Sequence, residues 1–93
     1  MSKIDIQRNH SLGRAQARSA VEQIAARMAE KFGVDTAWDG DVLGFSRSGV
    51  DGRIVVGDSD VRVTAQLGMM LGMLKGTIEQ EIERVLDERL GRA

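Results

Sequence analysis

The sequence predicts one α+β domain over residues 1–93, an antiparallel sheet with two helices packed on one face, in the order β-α-β-β-β-β-α. Apolar residues recur at helical spacing in two segments, one near each end of the chain. Between them the period changes to two, and turn dipeptides rich in glycine and aspartate recur. Because only one side of the predicted sheet is apolar, both helices are expected to cover that side.

The first strand and the first helix are predicted over the first third of the chain. Residues 3–8 alternate and place Ile4 and Ile6 on one side of a short strand. Ser11 is the expected cap of a helix over residues 12–32, and Gly33 ends it. The apolar positions that step by three and four residues in this helix are Ala17, Val21, Ile24, Ala25, Met28 and Phe32.

Three turns define a meander of four strands. Asp39-Gly40 is predicted to close a two-residue hairpin, and further turns are predicted at Ser48-Gly49 and over residues 57–60. In the first hairpin the expected pairs are Trp38 with Asp41, Thr36 with Leu43, and Val34 with Phe45. Later pairs are Leu43 with Ile54, Val56 with Val61, and Ile54 with Val63. The covered face is predicted to hold Val34, Trp38, Leu43, Phe45, Ile54, Val56, Val61 and Val63.

The other face of the meander is mostly polar, which predicts that it faces water. Arg53 and Arg62 lie on it and could bind an anion, but Asp35 is the expected neighbour of Arg53 and could neutralise it. A solvated face is therefore the simpler interpretation.

The last segment is predicted to be helical from about Leu67 onward. Its apolar stripe consists of Leu67, Leu71, Leu74, Ile78, Ile82 and Val85. The helix also carries most of its carboxylates downstream, whereas the first helix is rich in arginine and lysine. The two helices are expected to lie side by side with complementary charge.

Composition argues against several classes of function. A net charge of -1, with 13 basic and 14 acidic residues and three aromatic rings, argues against nucleic acid as a partner. The chain has no cysteine, and its apolar runs are too short for a transmembrane segment. No signal-peptide pattern is present at the start, so we expect a cytoplasmic protein, with a granule surface as a further location considered below.

No catalytic, cofactor or metal site is predicted. His10 is the only histidine and is interpreted as a polar residue beside the helix cap. Four aspartates in the turns could suggest a cation site, but tight turns favour aspartate in any case. They are Asp39, Asp41, Asp58 and Asp60. Phosphate loops and nucleophile motifs are not found, and we expect a protein that binds rather than an enzyme.

The candidate interaction surface consists of Met69, Gly72, Met73 and Gly76. On an α-helical wheel these residues lie opposite the leucine and isoleucine stripe. Glycine costs about 1 kcal/mol relative to alanine inside a helix, so its recurrence suggests close approach of another surface. Methionine suits a surface that adapts to its partner. The alternative is that these methionines are covered within the monomer.

A set of motifs resembles one bacterial family. The motifs are Glu30-Lys-Phe-Gly-Val34, Trp38-Asp-Gly-Asp41, Phe45-Ser-Arg-Ser-Gly-Val50, the leucine and glycine repeat over residues 67–75, and Ile78-Glu-Gln-Glu-Ile-Glu-Arg84. Together they are similar to the polyhydroxyalkanoic acid system protein family, nearly end to end. The resemblance implies a context, an association with polyhydroxyalkanoate granules, and it supplies no established catalytic residues to carry over to this chain. The implied partner is a polyester granule surface or a granule-associated protein, contacted through the candidate surface.

Two other classes of function remain open. The architecture resembles a reduced helix-grip fold, in which a small ligand would occupy a gap between the sheet and the last helix. Alternatively, the candidate surface joins two identical subunits into a structural homodimer.

Overall fold

The computed structural model describes residues 2–90 and confirms the predicted α+β class and element order. The strands are β1 (Ser2–Asn9), β2 (Asp35–Asp39), β3 (Val42–Arg47), β4 (Val50–Val56) and β5 (Asp60–Leu67). The helices are α1 (Arg14–Phe32) and α2 (Lys75–Leu90), and a 3-10 helix (Met69–Leu74) lies between β5 and α2.

The five strands form one antiparallel sheet in the order β1-β5-β4-β3-β2. Consecutive strands of the meander are neighbours, and β1 joins it alongside β5, with Ser2 opposite Leu67 and Asn9 opposite Asp60. The first strand of the chain thus completes the sheet on the side where the meander ends.

Two of the three predicted turns give the predicted register. Leu43 pairs with Ile54, and β4 and β5 pair Val56 with Val61 and Ile54 with Val63. Alternation restricts the pairing to registers that bury the apolar side chains, and the length of each turn selects one of them.

The register predicted for the first hairpin is wrong by one turn position. The turn residues are Gly40 and Asp41, so Asp39 pairs with Val42 and Trp38 with Leu43. Gly40 has φ 60°, and among residues 2–90 only glycines have a positive φ. The turn that forms therefore has glycine, and not Asp39, as its first residue. Trp38 lies on the same side of the sheet in the predicted and in the observed register, so the change of register does not alter which residues face the helices.

The covered face holds the core. Seven of the eight residues predicted for it are buried, and Trp38 is half-buried because β2 is an edge strand. The guanidinium of Arg18 lies over the Trp38 ring, 4.0 Å from its centroid. On the other face Arg53 and Arg62 are exposed, as predicted.

The predicted partner of Arg53 is also wrong, because of the changed hairpin register. Arg53 lies opposite Gly44 on one side and Thr64 on the other, while Asp35 pairs with Ser46. The other outer arginine, Arg62, forms two hydrogen bonds to the carboxylate of Asp5, at 2.9 and 3.1 Å.

Helix α1 begins later than predicted and without a side-chain cap. It starts at Arg14 after Gly13, which has φ 82°, so Ser11 does not cap it. The amide of Leu12 instead donates to Nδ1 of His10. The C-terminal prediction is confirmed: Gly33 is left-handed, and its N–H donates to the carbonyl of Ala29.

Helix α2 starts at Lys75, so the prediction of a helix from Leu67 is wrong. Leu67 is the last residue of β5 and is paired on both sides, with Ser2 and with Val50. Gly68 is extended, with φ -66° and ψ 169°, and separates the strand from the 3-10 helix. The later part of the predicted stripe, Ile78, Ile82 and Val85, is buried as expected.

A buried carboxylate joins the two helices. Glu81 of α2 is only 5% exposed, and its Oε1 lies 2.8 Å from Nζ of Lys31 on α1. Arg27 and Arg84 lie 4.0 and 3.6 Å from the same carboxylate. The contacts of Glu81 with Lys31 and Arg27 of α1 bear out the predicted charge complementarity of the two helices. Lys31, with a smaller contribution from the two arginines, holds the pKa of Glu81 below its usual value.

Candidate interaction surface

The 3-10 helix Met69–Leu74, called here the methionine segment, lies at one end of the sheet. It follows the end of β5 and is close to the start of β1 and to the β3–β4 turn. The N–H of Gly68 donates to the carbonyl of Gly49 in that turn at 2.8 Å, and the N–H of Leu71 donates to the Gly68 carbonyl at 3.0 Å. These two hydrogen bonds fix the start of the segment on the sheet.

The side chains of this segment lie in three rows, because a 3-10 helix has three residues per turn. In a 3-10 helix the residues i and i+3 eclipse each other, whereas in an α-helix neighbours are three and four apart. Leu71 and Leu74 therefore form one row, and both are half-buried against the core. Met70 and Met73 form a second row. Met69 shares the third row with Gly72.

The methionines of both outer rows are exposed to solvent. Met69, Met70 and Met73 are 85%, 87% and 88% exposed. The other exposed large apolar residues among residues 2–90 are Val55 at 42% and Leu12 at 36%, on different elements. The alternative that the monomer covers Met69 and Met73 is therefore wrong, and three apolar side chains of one short segment are exposed to solvent.

The predicted surface only partly coincides with this cluster. Met69 and Met73 are exposed as a pair, and Met70 belongs with them although the α-helical wheel missed it. Met70 and Met73 are three residues apart, so a sequence pattern examined at the 3-10 period of three would have placed them on the same side. Whether these residues contact a partner stays a prediction.

The two predicted glycines have different surroundings. Gly72 faces β1, and a Cβ built on it would lie 3.0 Å from Oγ of Ser2. Gly76 is exposed in the first turn of α2, and a Cβ built on it would meet open space. Close approach at Gly72 is thus made within the chain. The predicted cost of recurring glycines inside an α-helix does not apply, because Gly72 lies in the 3-10 helix and only Gly76 lies in α2.

His10 has a structural role in the described chain. It is 8% exposed, its Nε2 lies 3.2 Å from the carbonyl of Gly57, and its Nδ1 accepts from the N–H of Leu12 at 3.3 Å. The tautomer that donates from Nε2 and accepts at Nδ1 satisfies both contacts. The ring thereby links the end of β1 to the β4–β5 turn, in agreement with its interpretation as local structure.

Three of the four turn aspartates are engaged by arginines or an amide. Asp41 pairs with Arg14 at 2.8 Å and with Arg18 at 3.2 Å, and Asp58 pairs with Arg14 at 2.8 Å. Asp60 accepts a hydrogen bond from Gln7. Within residues 2–90 no three histidine, cysteine or acidic side chains are grouped as metal ligands would be.

The concave features of the described chain are shallow. A groove of about 300 Å³ crosses the outer sheet face and is lined by polar side chains that include Lys3, Asp51 and Gln66. Between the sheet and α2, where a helix-grip ligand would bind, Ile78, Ile82 and Leu86 are packed into the core cluster. Over residues 2–90, no helix combines the length and apolar character that a membrane span requires.

Comparison with known proteins identifies one family. The family model described as "Putative polyhydroxyalkanoic acid system protein" matches residues 4–90, which include every strand and helix except the first two residues of β1. No curated protein and no solved structure matches the chain. The match agrees with the resemblance drawn from the sequence motifs.

Proposed function

Because the chain belongs to the polyhydroxyalkanoic acid system protein family, we propose that it is a non-enzymatic accessory protein that docks on the polyester surface of a granule through its methionine segment. The family places the chain in a polyhydroxyalkanoate context. The docking step is our proposal, and it places the protein in the cytoplasm with a fraction bound to granules.

One observation carries the proposal: Met69, Met70 and Met73 are each at least 85% exposed, while Leu71 and Leu74 of the same segment pack inward. Because the two leucines pack against the core, the segment stays attached to the sheet while its methionines are exposed. A partner can therefore contact the methionines without any unfolding of the chain. Burying three such side chains would contribute about 5–9 kcal/mol before the cost of association.

The shape of the segment favours an apolar surface over a small ligand. Side chains that are almost fully exposed stand on a convex site, whereas small molecules bind in concave ones. A polyester surface has no fixed shape, and methionine is flexible enough to fit irregular apolar contacts. For these reasons we choose the polymer as the partner over a folded granule-associated protein or a second copy of the chain.

The test measures co-sedimentation of the full chain with amorphous polyhydroxyalkanoate particles. Met70→Glu with Met73→Glu places two charges in one exposed row and is expected to weaken binding at least about tenfold. The matched control is Leu12→Glu with Val55→Glu, which adds the same charge at the other exposed apolar positions. Binding by the control and not by the first variant supports docking through the segment.

Two results would contradict the proposal. Equal binding by both variants would exclude the methionine segment as the contact. If the wild type is a dimer in solution, the Met70 and Met73 variant is a monomer, and polymer binding is unchanged, the segment joins two subunits instead. Mass measurement by light scattering on the same samples distinguishes these cases.

A further inference from the structure

The methionines of the segment differ chemically from other apolar residues, because a thioether is oxidised by hydroperoxides. We propose that Met69, Met70 and Met73 form a peroxide-sensitive modification site, and that their oxidation to sulfoxides releases the protein from an apolar surface. The release step rests on the proposed docking function, but the modification site does not.

These three residues are accessible to a dissolved oxidant, whereas Met28, the fourth methionine among residues 2–90, is not. They are 85–88% exposed, whereas Met28 of α1 is 1% exposed and belongs to the core cluster. A peroxide in solution reaches the three sulfur atoms directly, but it reaches Met28 only when the domain opens. The fold therefore directs oxidation to one short segment.

The reaction needs no group supplied by the protein. A lone pair on the sulfur attacks one peroxide oxygen, the O–O bond breaks, and an S=O bond forms while water, or an alcohol from an organic peroxide, leaves. The sulfur is oxidised and the peroxide is reduced. Methionine sulfoxide reductases reverse the change, which makes it a switch rather than damage.

The fold tolerates this change because the side chains that hold the segment are leucines. Leu71 and Leu74 are the members of the segment packed against the core, and they do not react with peroxide. Oxidation would convert two outer rows from apolar to polar and leave the inner row unchanged. Binding is thereby lost without unfolding.

The first arm of the experiment measures where oxidation occurs. The folded chain is treated with hydrogen peroxide and digested with trypsin, which places all three methionines in the peptide of residues 63–75 and Met28 in a different peptide. We expect the first peptide to gain three oxygens at least about tenfold faster than Met28 gains one. Similar rates would overturn the modification site.

The second arm measures binding to polyhydroxyalkanoate particles. Oxidised wild type is expected to bind at least about tenfold more weakly, and treatment with both methionine sulfoxide reductases should restore binding. A variant with Met69→Leu, Met70→Leu and Met73→Leu should bind before and after peroxide. The Met28→Leu variant should lose binding like the wild type.

The outcomes separate the two proposals. Full oxidation of the segment with unchanged binding would overturn the switch, as would loss of binding by the leucine variant after peroxide. If unoxidised wild type does not bind the polymer, the docking function and its switch both fail, and the oxidation rates still decide the modification site. Thermal unfolding before and after peroxide shows whether the fold is retained.

Discussion

The ring of Phe45 lies over Gly52 on the neighbouring strand, in the space that a side chain at position 52 would occupy. A Cβ built on Gly52 would lie 2.7 Å from Cε2 of the ring and 2.8 Å from the Thr64 carbonyl oxygen. The two residues are directly paired between β3 and β4. Glycine at this position is therefore required by packing and not by backbone conformation.

Gly52→Ala is expected to lower the free energy of unfolding by about 1–3 kcal/mol, because the ring and the carbonyl leave no room for a methyl group. Gly44→Ala is the matched control on β3. Its Cβ would have the Ala37 carbonyl oxygen as its nearest neighbour, at 3.8 Å, so we expect little change. Urea denaturation measures both, and equal stability of the two variants would contradict the packing at Gly52.

Phe45→Ala and Trp38→Ala are expected to differ in cost, although the sequence predicts both side chains on the same covered face of the sheet. Phe45 is fully buried, and its truncation should cost about 3–5 kcal/mol. Trp38 is half-buried at an edge strand and contacts Arg18, so its loss should cost about 1–2 kcal/mol. The comparison is made by urea denaturation, and an equal loss would place Trp38 in the core.

The lowered pKa of Glu81 predicts that the folded protein loses part of its stability in acid. Its pKa is lowered in the folded state, chiefly by Lys31, so the folded protein favours the carboxylate more than the unfolded chain does. This contribution is present above the ordinary glutamate pKa of 4.5 and is lost as the pH falls through the lowered pKa of the folded state. Glu81→Gln should therefore reduce the dependence of stability on pH below 4.5.

Glu79→Gln is the control for this effect. Glu79 lies on the same helix and has no ion-pair partner among the described residues 2–90. Urea denaturation is measured from neutral pH into acid for both variants and the wild type. The assignment to Glu81 fails if both substitutions change the pH profile equally.

Substitutions in the outer and inner rows of the methionine segment are expected to change stability by different amounts. Met70→Glu with Met73→Glu should change the free energy of unfolding by no more than about 0.5 kcal/mol, because both side chains are exposed. Leu71→Glu with Leu74→Glu should cost several times more, since both side chains pack on the core. Thermal and urea unfolding test this, and comparable losses would show that the methionines are structural.

Local sequence signals determine most of the sheet. The Ser48-Gly49 turn and the four-residue turn after Val56 each match the alternation of buried residues on both sides, so their registers are predictable. At Asp39-Gly40-Asp41, glycine fits either position of a two-residue turn. Both registers bury the same face, because they differ by two residues in pairing, and alternation alone does not distinguish them.

The methionine segment shows where local periodicity fails. Leu67, Leu71 and Leu74 fit an α-helical stripe, but Leu67 also continues the alternation of Val63 and Ala65 in β5. Pairing with β1 on one side and β4 on the other decides for the strand. The position of β1 in the sheet depends on contacts between distant parts of the chain, and so does the outward placement of Met70.

The pairing of β1 with β5 also affects the order of folding. The meander closes through turns of two to four residues. Ser2 and Leu67, in contrast, are far apart in the sequence, with one helix and three strands between β1 and β5. Loop closure of that length has a larger entropic cost, so we expect β1 to dock after the rate-limiting step. Substitutions such as Ile4→Val should then speed unfolding and leave the folding rate nearly unchanged. Until that docking, β5 is an open edge with unpaired backbone groups, and this is the interval in which a newly made chain is most exposed to aggregation.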